Sequence, residues 1–268
     1  HRFNAFVIKN NLKLLKIGNF ERIMIYFYYT LLAIFSYFLG NISSARIVSK
    51  FKHGDVTKQG SGNPGTLNVW RAFGFWAGVL TFIFDALKGV IATLVGYFLF
   101  PHIGGNAEIA LYVAGIFVIL GHIFPVCYRF KGGKGIATAI GVFLVANWWV
   151  SLIAFVVMIV GMLLIKYASI FTLGFVIALS IVEICLTNPA NWVNYIFIAG
   201  ILLLVLFAHR ANIKRLLTGK ENKTELIKML KHLKDKKKEN SEENKTIENN
   251  DTKIEIDNEN KNNTLNDN

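Results

Sequence analysis

Cysteine is nearly absent: Cys127 and Cys185 are the only two among 268 residues. Both sit in apolar surroundings, so the sequence predicts reduced, buried thiols and no disulfide framework. No Cys/His spacing suits zinc, and neither a metal nor a cofactor is expected. A Walker A loop is missing, which removes the usual signature of nucleotide hydrolysis. So are a Gly-x-Ser-x-Gly elbow, a Ser-His-Asp pattern and a His-x-x-x-x-Asp box, so a covalent acyl-enzyme is not indicated. No internal repeat is visible, and no small-residue cleavage site follows the first apolar run.

What the chain has in excess is apolar length. It is 53% hydrophobic with a mean hydropathy of +0.43, and the excess lies between Ile23 and Phe207. That is the signature of an all-α, polytopic integral membrane protein. The formal net charge of +12 then reads as basic loops that meet anionic lipid headgroups, with no nucleic-acid partner. Apolar runs fall at about 23–42, 73–100, 108–128, 136–165, 168–187 and 192–208. The run 136–165 is either one long tilted helix or two helices turning at Asn147-Trp148-Trp149.

The distribution of Lys and Arg selects between these. Arg46, Lys50, Lys52, Lys58 and Arg71 lie in the first loop, and Arg129, Lys131 and Lys134 in the third. Lys166 follows the ambiguous run, whereas Pro101–Glu108 and Asn188–Asn191 carry no Lys or Arg. Splitting 136–165 gives seven transmembrane helices with every basic loop inside, the N-terminus out and the C-terminus in. Residues 23–218 form the membrane domain on this reading. Residues 1–22, basic and on the disfavoured side, are a surface helix or precede a natural start at Met24. Residues 219–268 read as a cytoplasmic tail. In it Leu226, Ile227, Leu230 and Leu233 line one face of a short basic helix, and Asn240–Asn268 are too polar to order.

Two glycine-rich segments interrupt this apolar pattern: Gly60-Ser61-Gly62-Asn63-Pro64-Gly65-Thr66-Leu67-Asn68-Val69-Trp70-Arg71 and Arg129-Phe130-Lys131-Gly132-Gly133-Lys134-Gly135. Flexible backbone can turn successive N–H groups toward one anion, and adjacent cations add full charge. Ser61 and Thr66 offer hydroxyls and Asn63 and Asn68 amides. A helix starting near Thr66 would add its N-terminal amides. Asp85 and Lys88, three apart inside a span, are read as a self-neutralising pair or one wall of a polar site. Glu183 is expected to pack against another helix or a local polar group. His122, at the end of the third span, is read as interfacial. His209 and Asn212 share a helical face just beyond the last span, with Arg210, Lys214 and Arg215 beside them. A neutral imidazole there can accept a hydroxyl proton.

Taken together these segments resemble the PlsY-type bacterial membrane glycerol-3-phosphate acyltransferases. The resemblance runs from about Tyr29 to Glu221. It rests on the first glycine-rich segment, on Gly121-His122-Ile123-Phe124-Pro125 leading into Phe130–Gly135, on His209–Arg215 with Glu221 beyond, and on Asp85-Ala86-Leu87-Lys88-Gly89. Ala208 stands where the family commonly has Arg, and Pro64 and Leu67 where it often has Ile and Ala or Thr. The resemblance implies seven spans in the bacterial cell membrane with the motifs toward the cytoplasm. It implies transfer of an acyl chain from acyl phosphate to the 1-hydroxyl of glycerol-3-phosphate, giving lysophosphatidic acid and phosphate. On that pattern Ser61, Arg71, His209 and Asn212 carry the reaction. Gly60, Gly62, Asn63, Asn68, Lys88, Lys131, Gly132, Gly133, Lys134, Gly135 and Glu221 hold the two substrates. The alternative from another class is a transporter of organic phosphates, which would also use basic glycine-rich loops but usually shows repeats.

Overall fold

The protein is described from a computed structural model covering residues 2–187, 191–221 and 223, with side chains from Gly18 onward. The amphipathic helix and the polar tail expected beyond Lys223 lie outside the described residues. Everything described is helical, turn or loop.

Helix α1 (Arg2–Asn41) runs without a break from the basic leader through the first apolar run. Short α2 (Ser44–Phe51) and α3 (Thr66–Phe73) frame the first glycine-rich loop. Then come α4 (Phe75–Leu99), α5 (Ala107–Ile123), α6 (Ile136–Ala146), α7 (Trp148–Ile165), α8 (Ala168–Leu186), α9 (Trp192–Ala208) and α10 (Arg210–Leu217). The predicted start near Thr66 and the predicted break at Asn147 are both present. Asn147 ends α6 by donating its N–H to the Phe143 carbonyl and opens α7 by accepting from the Ser151 N–H.

Among the described residues five segments are long and apolar enough to cross a membrane: Gly18–Phe51, Phe75–Ile103, Ala107–Tyr128, Trp148–Ile165 and Ala168–Leu186. A sixth arises if α9 and α10, bent by 63° at His209, count as one span. Helix α6 has 11 residues, and at about 1.5 Å per residue it covers roughly half of a bilayer's apolar core.

Helix α5 is the hub. It packs against α1, α4, α6 and α9, while α7 and α8 pair at one edge. Lipid is as apolar as leucine, so packing geometry has to hold membrane helices together, and small residues permit close approach. Here α1 meets α5 through Gly40 and Gly121, and α4 meets α6 through Gly89 and Gly141. A Cβ at any of the four would collide with a backbone carbonyl of the facing helix. Phe143, Ile119, Leu179, Ile198 and Ile201 fill the centre. Leu152, Ile153, Val156, Val157, Val160 and Leu164 of α7 are exposed, as a lipid face requires.

Candidate active site

The first loop is built to hold one shape. Asp55 accepts hydrogen bonds from the backbone N–H and hydroxyl of Thr57 (2.9 and 2.7 Å). These bonds hold its carboxyl below the ordinary range. Gly60 and Gly62 both take left-handed φ (+53° and +68°), which favours glycine. Asn68 is buried. It donates to the carbonyls of Val56 (3.1 Å) and Gln59 (2.9 Å) and accepts from the Ser61 N–H (3.1 Å). The amide anticipated as a ligand is thus spent inside the loop as its staple, because a buried carboxamide must satisfy its own donors. Ser61 is left at the exposed tip with Gly62 and Asn63 beside it.

The second loop also differs from the expectation of outward-facing amides. Gly132 donates its N–H to the Ile123 carbonyl and Gly133 to the His122 carbonyl, each at 3.1 Å. Their glycine character serves close approach instead. A side chain at Gly133 would strike the His122 ring, and one at Gly132 the carbonyls of His122 and Ile123. Gly135, at φ +82°, opens α6 directly after Lys134.

Beneath both loops lies a buried polar cluster. The Lys88 ammonium pairs with Asp85 Oδ1 at 2.8 Å and donates to the carbonyls of Gly40 (3.2 Å) and Ile42 (2.9 Å). It also stands 2.8 Å from His122 Nδ1. An ammonium only donates, and with three N–H among four acceptors it shares one of them, so Nδ1 accepts and the ring proton of neutral His122 sits on Nε2, the edge against Gly133. Ser44 adds a hydrogen bond to Asp85 Oδ1 at 3.0 Å. Asp85 is the structural pair partner the sequence suggested. Lys88 is engaged by α1, α4 and α5 rather than open to a substrate. His122, read as interfacial, is buried within this cluster.

Above the cluster the two loops enclose a cleft of about 660 Å³. One wall is Thr57, Ser61, Gly62, Asn63 and Pro64, the other Cys127, Tyr128, Arg129, Lys131 and Gly132, and Arg46 of α2 joins them. Cys127 and Cys185 are free but exposed, correcting the expected burial. The first lies in the turn after α5, at the rim of this polar cleft, so its apolar neighbours in sequence do not cover it.

The third motif forms a second polar cluster. Glu221 accepts from Ser169 (2.5 Å), Asn212 (2.8 Å) and Arg215 (2.8 Å), and Asn212 also donates to Ser169 at 2.7 Å. Burial opposes the Glu221 charge, but these three donors outweigh it and hold the carboxyl below its ordinary value. The charge of Glu221 is felt by Arg71, Lys134 and His209. All three motifs therefore converge here. Burial, then the charge of Arg215 and, more weakly, that of Arg71, lower the Lys134 ammonium to about 8, against the pull of Glu221. His209 Nδ1 lies 2.9 Å from the Val205 carbonyl. A carbonyl cannot donate, so Nδ1 carries the proton and neutral Nε2 keeps a lone pair for a hydroxyl proton.

A site rich in cations, with one available imidazole and a lipid-facing helical frame, suits a phosphorylated substrate and an apolar one. Residues 30–219 match the family described as glycerol-3-phosphate acyltransferase. The chain belongs to that family.

Within it, the protein is similar to the glycerol-3-phosphate acyltransferase of Clostridioides difficile (strain 630), at 40% identity over 198 residues. That alignment takes in 74% of this chain and 96% of the relative. The Aquifex aeolicus (strain VF5) relative is 38% identical over 192 residues, 72% and 97% of the two chains. Crystal structures of PlsY, an integral membrane glycerol 3-phosphate acyltransferase, superpose in a glycerol 3-phosphate form (TM-score 0.67) and a lysophosphatidic acid form (0.66). Both are 35% identical and cover 76% of this chain and 98% of theirs. The protein is accordingly an acyltransferase enzyme.

The structure brings Ser61, Gly62, Asn63, Lys131 and Gly132 to the cleft, with Gly60 beside them, and gathers Arg71, Lys134, His209, Asn212 and Glu221 at the second cluster. It keeps Asn68, Lys88 and Gly133 beneath, in the framework. Sequence reasoning did not single out Ser169 or assign Arg46, Arg129 and Arg215 to the site. Arg46 stood only in the tally of basic loop residues, Arg129 and Arg215 stood at the ends of the second and third motifs without a role of their own, and Ser169 in an apolar run carries no signal of its own.

Proposed function

We propose that the protein transfers an acyl chain from acyl phosphate to the 1-hydroxyl of sn-glycerol-3-phosphate. The products are 1-acylglycerol-3-phosphate (lysophosphatidic acid) and inorganic phosphate, an early step of phospholipid synthesis. The observation that carries this reading is the convergence of Arg71, Lys134 and His209 around Glu221, in a protein whose first two motifs also line a cleft with Ser61, Arg129 and Lys131. Relatives named for glycerol-3-phosphate acylation, and a PlsY structure in a glycerol 3-phosphate form, supply the substrate class.

In this reading Ser61 and Asn63 orient glycerol-3-phosphate with Arg71, and Lys131 and Lys134 hold the acyl phosphate. The hydroxyl oxygen attacks the acyl carbonyl, the new ester C–O bond forms, and the acyl carbon–phosphate oxygen bond breaks. Phosphate leaves as an already good leaving group, so alignment and charge neutralisation supply most of the acceleration. The hydroxyl proton ends on the departing phosphate, and His209 Nε2 is the group of this chain able to relay it. Asn212 and Glu221 fix the helix bend that presents His209. No metal or cofactor enters this scheme.

The finer topology belongs to the same reading. Counting the short α6 as a pass, helices α1, α4, α5, α6, α7, α8 and α9 cross seven times, N-terminus out and C-terminus in, with the site toward the cytoplasm of a bacterial cell. Basic loops at Arg46–Arg71, Arg129–Lys134 and beyond α9 support that orientation. The acyl chain lies between lipid-facing helices while its phosphate stays in the polar layer.

The deciding assay is phosphate release from palmitoyl phosphate by purified protein, with and without glycerol-3-phosphate, and identification of lysophosphatidic acid. Release should require glycerol-3-phosphate and collapse in Ser61→Ala and His209→Ala. Absence of turnover in folded protein, with uptake of radiolabelled glycerol-3-phosphate into proteoliposomes, would replace the enzyme reading by transport.

A further inference from the structure

We propose that Arg46, outside all three motifs, is a further binding residue for the phosphomonoester of the hydroxyl substrate. The inference rests on the reading of the cleft as the glycerol-3-phosphate site and extends it to a cation delivered by α2.

Helix α2 is firmly seated. Ala45 is fully buried, and Ser44 is tied to Asp85 of α4. Arg46 follows them and lines the cleft opposite Ser61 and Asn63. Its guanidinium is held on two sides. Nη2 donates to the Lys131 carbonyl at 2.6 Å, and Cζ stands 4.4 Å from the centre of the Tyr128 ring. Both partners line the same cleft. One donor of five is thus spent, and the Nε–H is shut from solvent with no hydrogen-bond partner among the described residues. An orphaned donor on a charged group is costly to keep. The planar guanidinium is the side chain whose parallel donors match a phosphate's oxygens.

The electrostatics agree. Arg46, Arg129 and Lys131 put three cations on the cleft. The nearby acid, Asp55, feels Arg46 but spends its Oδ1 on Thr57. A phosphate dianion balances such an excess, and the stack on Tyr128 fixes the guanidinium before the ligand arrives, lowering the ordering cost of binding. Arg46 also links the two loops, since its helix α2 leads by chain into the first and its guanidinium holds Lys131 of the second. A phosphate held by Arg46 therefore registers one substrate's loop against the other's.

The test is steady-state kinetics of Arg46→Gln and Arg46→Lys with palmitoyl phosphate as donor. The expected result for Arg46→Gln is a roughly tenfold rise in KM for glycerol-3-phosphate, with kcat and the KM for palmitoyl phosphate within about twofold of wild type. Arg46→Lys keeps the charge without the fork and should recover less than half of that loss. The wild-type KM should also rise more steeply with salt than that of Arg46→Gln. An unchanged KM overturns the proposal. So does a fall in kcat alone, which would make Arg46 a latch for the Lys131 loop, or a rise confined to the palmitoyl phosphate KM.

Cys127, exposed in the same cleft, separates this failure from failure of the underlying reading. Glycerol-3-phosphate should slow maleimide modification of Cys127 in wild type, and about tenfold more of it should be needed in Arg46→Gln. Equal protection in both proteins removes Arg46 and keeps the cleft. No protection in wild type removes both.

Discussion

Replacing Lys88 by methionine separates a buried staple from a substrate ligand. Lys88 and Asp85 are 5% and 2% exposed at their side chains and 2.8 Å apart. Removing the cation leaves Asp85 charged and unpaired in the bundle, and strands the Gly40 and Ile42 carbonyls that Lys88 serves. Breaking a buried pair from one side costs about 3–5 kcal/mol. At roughly 2–4 °C per kcal/mol for a domain of this size, the melting temperature in detergent should fall by about 6–20 °C. Asp85→Asn alone should cost less, about 1–3 kcal/mol, because Lys88 retains two carbonyls and His122 Nδ1 as acceptors. Adding Asp85→Asn to Lys88→Met removes the orphaned charge and should return about 1–3 kcal/mol, measurable as a double-mutant coupling. A substrate-binding lysine behaves otherwise. Its loss would raise a KM with the melting temperature unchanged, and Asp85→Asn would not rescue it. That outcome would refute the staple and restore Lys88 to the ligands.

Other expectations follow from single groups. With Lys134 lowered to about 8, its charge is present below that pH and lost above it. So kcat/KM should fall above about pH 8, and Lys134→Arg should move that limb beyond pH 10; an unmoved limb would assign the titration elsewhere. Glu221 supports the Lys134 charge, so Glu221→Gln should shift the same limb to lower pH in a pH–rate profile. A membrane-impermeant maleimide should modify Cys127 in inverted vesicles and not in right-side-out ones, and the reverse pattern would invert the proposed topology. Tyr112 donates to buried Glu183 Oε2 at 2.7 Å, away from the loops. Tyr112→Phe should lower thermal stability by about 1–2 kcal/mol with kcat unchanged, read by melting and turnover on one sample.

Much of the fold was legible because apolar length and cation placement act locally along the chain. The run 192–208 is helix α9 to the residue, and the break at Asn147 was signalled by a polar residue before two tryptophans. The same logic paired Asp85 with Lys88, three apart on one helical turn, and expected Glu183 to pack against another helix or a local polar group; the structure supplies Tyr112 of α5. It misjudged His122, which looks like any boundary histidine until α4 brings Lys88 beneath it. It misjudged the cysteines as well, since local hydrophobicity says nothing about which face of the bundle a thiol meets.

The sequence by itself determined the membrane class, the helix order and the segments that carry chemistry, because each depends on hydropathy, charge or motif within a few residues. The tertiary structure alone decided how those segments divide their labour. Glycine flexibility permits either an anion-facing amide or a close backbone contact, and only the packing of the second loop on His122 and Ile123 shows that Gly132 and Gly133 make the contact. A carboxamide such as Asn68 can serve a ligand or its own loop, and burial chose the loop. Arg46 and Ser169 join the site only because folding closes distances of 85 and 52 residues, to the Lys131 carbonyl and the Glu221 carboxylate. Those are separations that no pattern of neighbouring residues encodes.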